Sequence, residues 1–132
     1  MLRVKGYTDF TIDAGGDIQV GSRERVIGIR NPFDSMSVVK KVQLKDRGIA
    51  TSGTYIRGDH IYNPHDENFQ TEFVSFSVIG PNVYDADRFA TAAFAMGRKG
   101  LYFIENLPGF EAYAINQMGI GVYTSGFSNY VV

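Results

Sequence analysis

The chain reads as an α+β domain in which a mostly antiparallel sheet packs against two helices. Short runs of β-branched and aromatic residues recur along it, and 15 glycines supply turns between them. Only one long stretch, Val83 to Gly97 (VYDADRFATAAFAMG), has helical periodicity with both ends marked. A chain of 132 residues is one domain, 1–132, long enough to bury a core without staples.

In order, residues 9–14 (DFTIDA) alternate apolar and polar as a strand does. Gly15-Gly16-Asp17 then turns the chain into Ile18-Gln19-Val20, with the two glycines supplying either positive φ or a bulge. Arg25 to Arg30 and Ser37 to Leu44 pair as strands about a loop at 31–36 containing Asn31-Pro32. Lys40, Lys41 and Lys45 are the solvated side of an edge strand. Gly48 to Gly53 (GIATSG) is a buried strand ending in small residues, where Ser52 and Gly53 either admit a ligand close to the backbone or pack against the helix. Glu72 to Gly80 (EFVSFSVIG) is a central strand that feeds the helix.

The helix begins at Asn82 or Tyr84, after Pro81. Asp85 and Asp87 lie in its first turn, where the dipole favours negative charge, and Gly97 is the expected left-handed stop. Phe89, Ala92, Ala93 and Met96 form its predicted apolar face. Asp87 and Thr91, four apart, put a carboxylate and a hydroxyl one above the other with Ala90 beside them. Such oxygens suit a hard cation such as Mg2+; the same spacing also suits a dipole-stabilising aspartate and a threonine bonded back to the Asp87 carbonyl. A second helix over 101–107, a hairpin of 110–115 and 120–124 about Asn116 to Gly119, and an edge strand from Phe127 to Val132 complete the chain.

Composition excludes several functions. A net charge of −1 with scattered basic residues provides no field for nucleic acid. The lack of cysteine removes disulfides, thiolate metal sites and thiol nucleophiles. No apolar run approaches the roughly 18 residues of a membrane helix, and MLRVKGYTDF has no apolar signal core, so the chain is expected to be soluble, not membrane-inserted, and not exported by its own signal. Asp59, His60, His65, Asp66 and Glu67 cluster in sequence, but the histidines are five apart across a proline with no matching ligand elsewhere, which favours His60 as a single imidazole over a zinc site.

Four segments, in this order, resemble the C-terminal half of the ApbE family, the FAD:protein FMN transferases. They are Ile12-Asp13-Ala14-Gly15-Gly16-Asp17-Ile18, Ala50-Thr51-Ser52-Gly53-Thr54-Tyr55, His60-Ile61-Tyr62-Asn63-Pro64 and Ala86-Asp87-Arg88-Phe89-Ala90-Thr91-Ala92. The similarity continues through Leu107-Pro108-Gly109-Phe110 and Gly126-Phe127. The resemblance implies FAD as substrate with Mg2+ on its pyrophosphate, and transfer of FMN to a threonine of an acceptor flavoprotein. It assigns Asp87, Thr91 and the Ala90 carbonyl to Mg2+, His60 to the reacting phosphate, and Gly15, Gly16, Ser52, Gly53 and His60 to the nucleotide. Asn63 stands where the family has an aspartate, and His65-Asp66-Glu67 replaces its Thr-Gly. The chain opens just before the Gly-Gly-Asp strand, so the family's N-terminal half is expected on a second chain, or to be replaced by a second copy in a homodimer. The alternative is a catalytically inactive flavin-nucleotide-binding or protein-interaction module. Family members are often exported lipoproteins.

Overall fold

A computed structural model of the chain describes residues 11–14, 17–53, 55–57, 60–62 and 72–132. Its strands are β1 (Thr11–Ala14), β2 (Asp17–Val20), β3 (Arg25–Asn31), β4 (Asp34–Leu44), β5 (Gly48–Gly53), β6 (Tyr55–Arg57), β7 (His60–Tyr62), β8 (Phe73–Gly80), β9 (Glu111–Asn116) and β10 (Gly121–Tyr123). Two helices, α1 (Val83–Met96) and α2 (Arg98–Glu105), lie between β8 and β9, and a 3₁₀ turn, Phe127–Tyr130, follows β10. Six strands form one sheet in the order β1-β2-β5-β8-β9-β10, antiparallel at every junction. The hairpins β3–β4 and β6–β7 stand outside it as separate two-stranded sheets.

The expected α+β class is observed. β8 has all eight residues buried, because both faces of the sheet are covered at its centre. On one face Ala50, Phe76, Val78, Ala112 and Ala114 meet the helices. On the other, Ile49, Val74, Ile79 and Ile115 meet the hairpin residues Ile29, Val42 and Leu44. The pairing of β8 with β9 slips between Phe73 and Ser75, leaving Val74 as the extra residue of a bulge. The slip inverts the alternation, and so Phe73 and Phe76, three apart, share the helix side with ring centroids 5.9 Å apart.

α1 seats closely on the sheet. Its buried residues are Ala86, Ala90 and Ala93, a stripe of methyl groups that brings the helix axis near β5. This corrects the predicted face: Ala92 is exposed and Met96 is 44% exposed. Phe89 turns instead towards α2 and the segment before β9, edge-on to Phe110 at 4.9 Å and tilted against Phe103 at 5.8 Å. With alanine on several sides of the helix, periodicity alone did not fix which alanines face inward. The close seating also requires glycine at position 48, where a Cβ would stand 2.1 Å from the Val83 backbone nitrogen.

Two further expectations are corrected. The second helix starts at Arg98 rather than Leu101, because Glu72 reaches across to accept from the Arg98 N–H at 3.1 Å and Gly100 lets the turn pack onto Ala93. The C-terminal segment is a 3₁₀ turn, anchored by Phe127 stacked on Tyr113 at 5.2 Å. Only its end is strand-like: Val131 bridges Val42, and the Val132 N–H donates to the Lys41 carbonyl at 3.0 Å. Among the described residues no helix is long and apolar enough to cross a membrane.

Gly48→Ala is expected to destabilise the chain by about 1–3 kcal/mol, because the added methyl meets backbone rather than a movable side chain. An unchanged midpoint in guanidinium denaturation would contradict the close contact.

Candidate functional site

The first turn of α1 is satisfied by protein groups. Asn82 is its N-cap, with its Oδ1 accepting from the Asp85 N–H at 2.8 Å and its amide donating to Asp85 Oδ2 at 3.1 Å. Gln19 on β2 supplies Oε1 to the Val83 N–H at 2.7 Å, while its amide donates to the Val20 and Arg47 carbonyls at 3.2 and 3.3 Å. The helix is thereby tied to β2 at its start, and the open chemistry lies one turn further along, on the edge facing β2 and β5.

There Asp87 and Thr91 are exposed one turn apart. Thr91 Oγ1 donates to the Asp87 carbonyl at 3.0 Å and lies 3.1 Å from Ser52 Oγ on β5. With the Thr91 proton committed to the carbonyl, Ser52 is the donor between the hydroxyls, and Thr91 Oγ1 keeps an acceptor lone pair. Asp17, at the start of β2, accepts from the Thr51 N–H at 3.3 Å. Thr51 is itself held by a 2.7 Å hydroxyl contact with Ser77. Burial raises the Asp17 carboxyl above its ordinary pKa; the Thr51 N–H opposes this, and the neighbouring carboxylates of Asp87 and then Asp13 push it higher again. β2, β5 and α1 therefore bring Asp17, Ser52, Asp87 and Thr91 to one notch of hard oxygen donors.

Of the residues singled out from sequence, Ser52, Asp87 and Thr91 meet in this notch. Gly53 ends β5 opposite Ser75, where a Cβ would stand 2.7 Å from the Val74 carbonyl of the bulge. Ala90 is fully buried, with its carbonyl in the ladder of the helix interior. His60 opens β7, paired in register with Arg57. Gly15, Gly16 and Asn63 lie outside the described residues. The sequence reading did not assign Asp17 to the cation, although it closes the Gly-Gly-Asp motif; its carboxylate becomes a partner of Asp87 only when β2 is laid beside β5 under α1. Among the described residues no three histidine, aspartate or glutamate side chains cluster tightly enough to cage a metal. Two facing carboxylates with two hydroxyls are instead a donor set for Mg2+, which keeps several waters and shares its shell with phosphate oxygens.

An antiparallel sheet with two helices on one face and an acid-and-hydroxyl notch at the helix edge defines an α+β domain. The ApbE family model matches residues 1–114, and the chain belongs to that family. It is 30% identical over 114 residues to the FAD:protein FMN transferase of Treponema pallidum (strain Nichols), an alignment covering 76% of this chain and 32% of that protein. In fold it resembles the ApbE protein of Thermotoga maritima, with a TM-score of 0.77 and 24% identity over 92% of this chain and 44% of that one. It also resembles the flavin transferase ApbE of Vibrio cholerae, with a TM-score of 0.73 and 23% identity over 98% and 46%. The chain thus spans about a third of the curated relative and less than half of these solved structures.

The raised Asp17 pKa has a defined consequence for stability. A group whose folded pKa exceeds its unfolded value favours folding when protonated, so the charged pair costs stability at neutral pH; that cost fades as pH falls through the raised folded pKa and is gone below the ordinary carboxylate value of about 3.9. Asp17→Asn, which keeps an acceptor for the Thr51 N–H, should raise the melting temperature at pH 7 in metal-free buffer. The gain should vanish in acid, and a gain that persists there would remove the electrostatic account.

Proposed function

We propose that the chain supplies the cation- and diphosphate-binding part of a Mg2+-dependent transferase that moves FMN from FAD to a threonine hydroxyl of an acceptor protein. The observation that carries this reading is the convergence of Asp17, Ser52, Asp87 and Thr91 from three elements, in a chain of the ApbE family. Asp87 and Thr91 would hold the cation. Because Ala90 is buried and its carbonyl is engaged in the helix, Asp17 is the better-placed third oxygen. Mg2+, when bound, offsets diphosphate charge and stabilises the charge that develops as the phosphoryl group moves. Ser52 and Gly53, at the end of β5, give the nucleotide a hydroxyl donor and close access to backbone. Gly15 and Gly16 belong to the same proposed nucleotide site. His60 would take the acceptor's proton, since an imidazole titrates near neutrality.

The transfer balances simply. The acceptor oxygen bonds to the FMN phosphorus, the bond from that phosphorus to the bridging oxygen breaks, AMP leaves with that oxygen, and the hydroxyl proton passes to the base. The transfer would also draw on the part of the family fold that lies outside these 132 residues, since the chain covers less than half of its solved relatives. Asn63 favours one other reading, a module that binds flavin nucleotide without transferring it, because an amide cannot take up a proton where the family has a carboxylate.

FAD binding, followed by flavin fluorescence in Mg2+ and in chelator, tests the proposal. Binding should require Mg2+, and Asp87→Ala should abolish the Mg2+-dependent component. AMP release on adding an acceptor and the complementing polypeptide separates the transferase from the binding module. Equal FAD affinity in Mg2+ and chelator would overturn the cation assignment.

A further inference from the structure

β2 and α1 lie side by side in opposite senses and meet at two polar rungs. At one, Gln19 Oε1 accepts from the Val83 N–H at 2.7 Å. At the other, the Asp17 and Asp87 carboxyls stand within hydrogen-bond reach of each other. The rungs are equally spaced on both elements. Gln19 and Asp17 are two residues apart on one face of a strand, about 6.6 Å, and Val83 and Asp87 are four apart on a helix, about 6 Å. A bond made at the first rung therefore sets the separation at the second.

We infer that Gln19 is the positioning residue of the cation site: by tying α1 to β2 it holds the Asp17 and Asp87 carboxylates at the separation that a shared divalent cation requires. The cation itself rests on the transferase reading above. The alanine stripe of α1 packs on side chains of β5, β8 and β9, and among the described residues none from β2 joins that core. Methyl groups fix the height of the helix over the sheet, but they interlock too little to resist a sideways slide away from β2. Two like charges at the second rung push α1 in that direction at neutral pH. The hydroxyl contact of Ser52 with Thr91 ties the helix to β5 and leaves β2 free. Gln19 opposes the push because its own amide is anchored, donating to the Val20 and Arg47 carbonyls at 3.2 and 3.3 Å. Its oxygen then meets an N–H that has no partner inside the helix. Without that rung, part of the cation's binding free energy would be used to draw the two elements back together.

Gln19→Met keeps the side-chain volume and removes all three bonds. Asn82→Ala is the comparison, because it removes a cap of the same helix from within its own first turn and does not release α1 from β2. Titration calorimetry of the whole chain with Mg2+ alone should show binding about tenfold or more weaker in Gln19→Met, and within about twofold of the unaltered chain in Asn82→Ala. A second measurement needs no ion. In metal-free buffer at pH 7, Asp17→Asn should raise the melting temperature of the unaltered chain and of Asn82→Ala, and that gain should largely disappear in Gln19→Met. Gln19→Asn, whose amide falls one methylene short of Val83, replaces the methionine variant should that one not fold. Unchanged Mg2+ affinity in Gln19→Met, or equal weakening in Gln19→Met and Asn82→Ala, would overturn the inference. So would an Asp17→Asn gain of the same size in all three backgrounds. A gain that depends on Gln19 in a chain that binds no Mg2+ would instead keep the hold of Gln19 on the carboxylates and remove the cation, so the two readings fail separately.

Discussion

The distance between α1 and β5 governs this molecule. A stripe of Ala86, Ala90 and Ala93 lies on the sheet, Gly48 admits the Val83 backbone, and Gln19 ties the same residue to β2 through a 2.7 Å bond. A larger side chain at any of these positions would lift the helix. The 3.1 Å contact between Ser52 and Thr91 would then open, and Asp87 would withdraw from Asp17. Interiors are packed at crystal-like density and do not absorb such a change without moving an element. The notch is thus an outcome of core packing rather than of the polar residues that form it.

The same geometry stores a conflict that folding does not need. Two carboxylates share the edge of the helix, with a third nearby, and the Asp17 carboxyl is held above its ordinary range by burial and by like charge. A fold selected for stability alone would place an amide or a lysine at one of these positions. A divalent cation held there, as proposed above, would turn the repulsion into attraction, and the electrostatic cost in the free chain would be the counterpart of its affinity. That is the sense in which perturbed carboxylates mark functional sites.

Sequence pattern resolved the elements whose signals are local. β5, β8 and the extent of α1 were legible because β-branched alternation, a capping asparagine and a terminal glycine act within a few residues. It did not resolve choices made by tertiary contact. Alanines on several sides of α1 left its inward face open, and only the docked helix selects Ala86, Ala90 and Ala93. Phe127 to Val132 reads as a strand until Phe127 finds Tyr113 and draws the chain into a 3₁₀ turn. β3 and β4 carry the same pattern as the sheet strands, and nothing in their residues announces a separate hairpin. At the site, spacing put Asp87 and Thr91 on one side of α1 but left a cation pair and a back-bonded threonine as equal readings of it, whereas the place of Asp17 depends on neighbours 34 residues away, as in its bond to Thr51.

Among the described residues, the open strand edges differ in a way that bears on association. The main sheet ends in strands of four and three residues, β1 and β10, and edges this short are poor templates for another chain. β3 is seven residues long, and at about 3.3 Å per residue its edge extends well beyond a single peptide contact. Its pairing with β4 slips between Ile29 and Asn31, and the irregularity limits the regular stretch at that end. Association through the main sheet would therefore have to rely on apolar surface such as Ile12, Met118 and Ile120, whereas association through β3 can use backbone hydrogen bonds. Backbone pairing is indifferent to most side chains. It suits a partner recognised chiefly by an extended shape, whereas burial of apolar surface suits a lasting association.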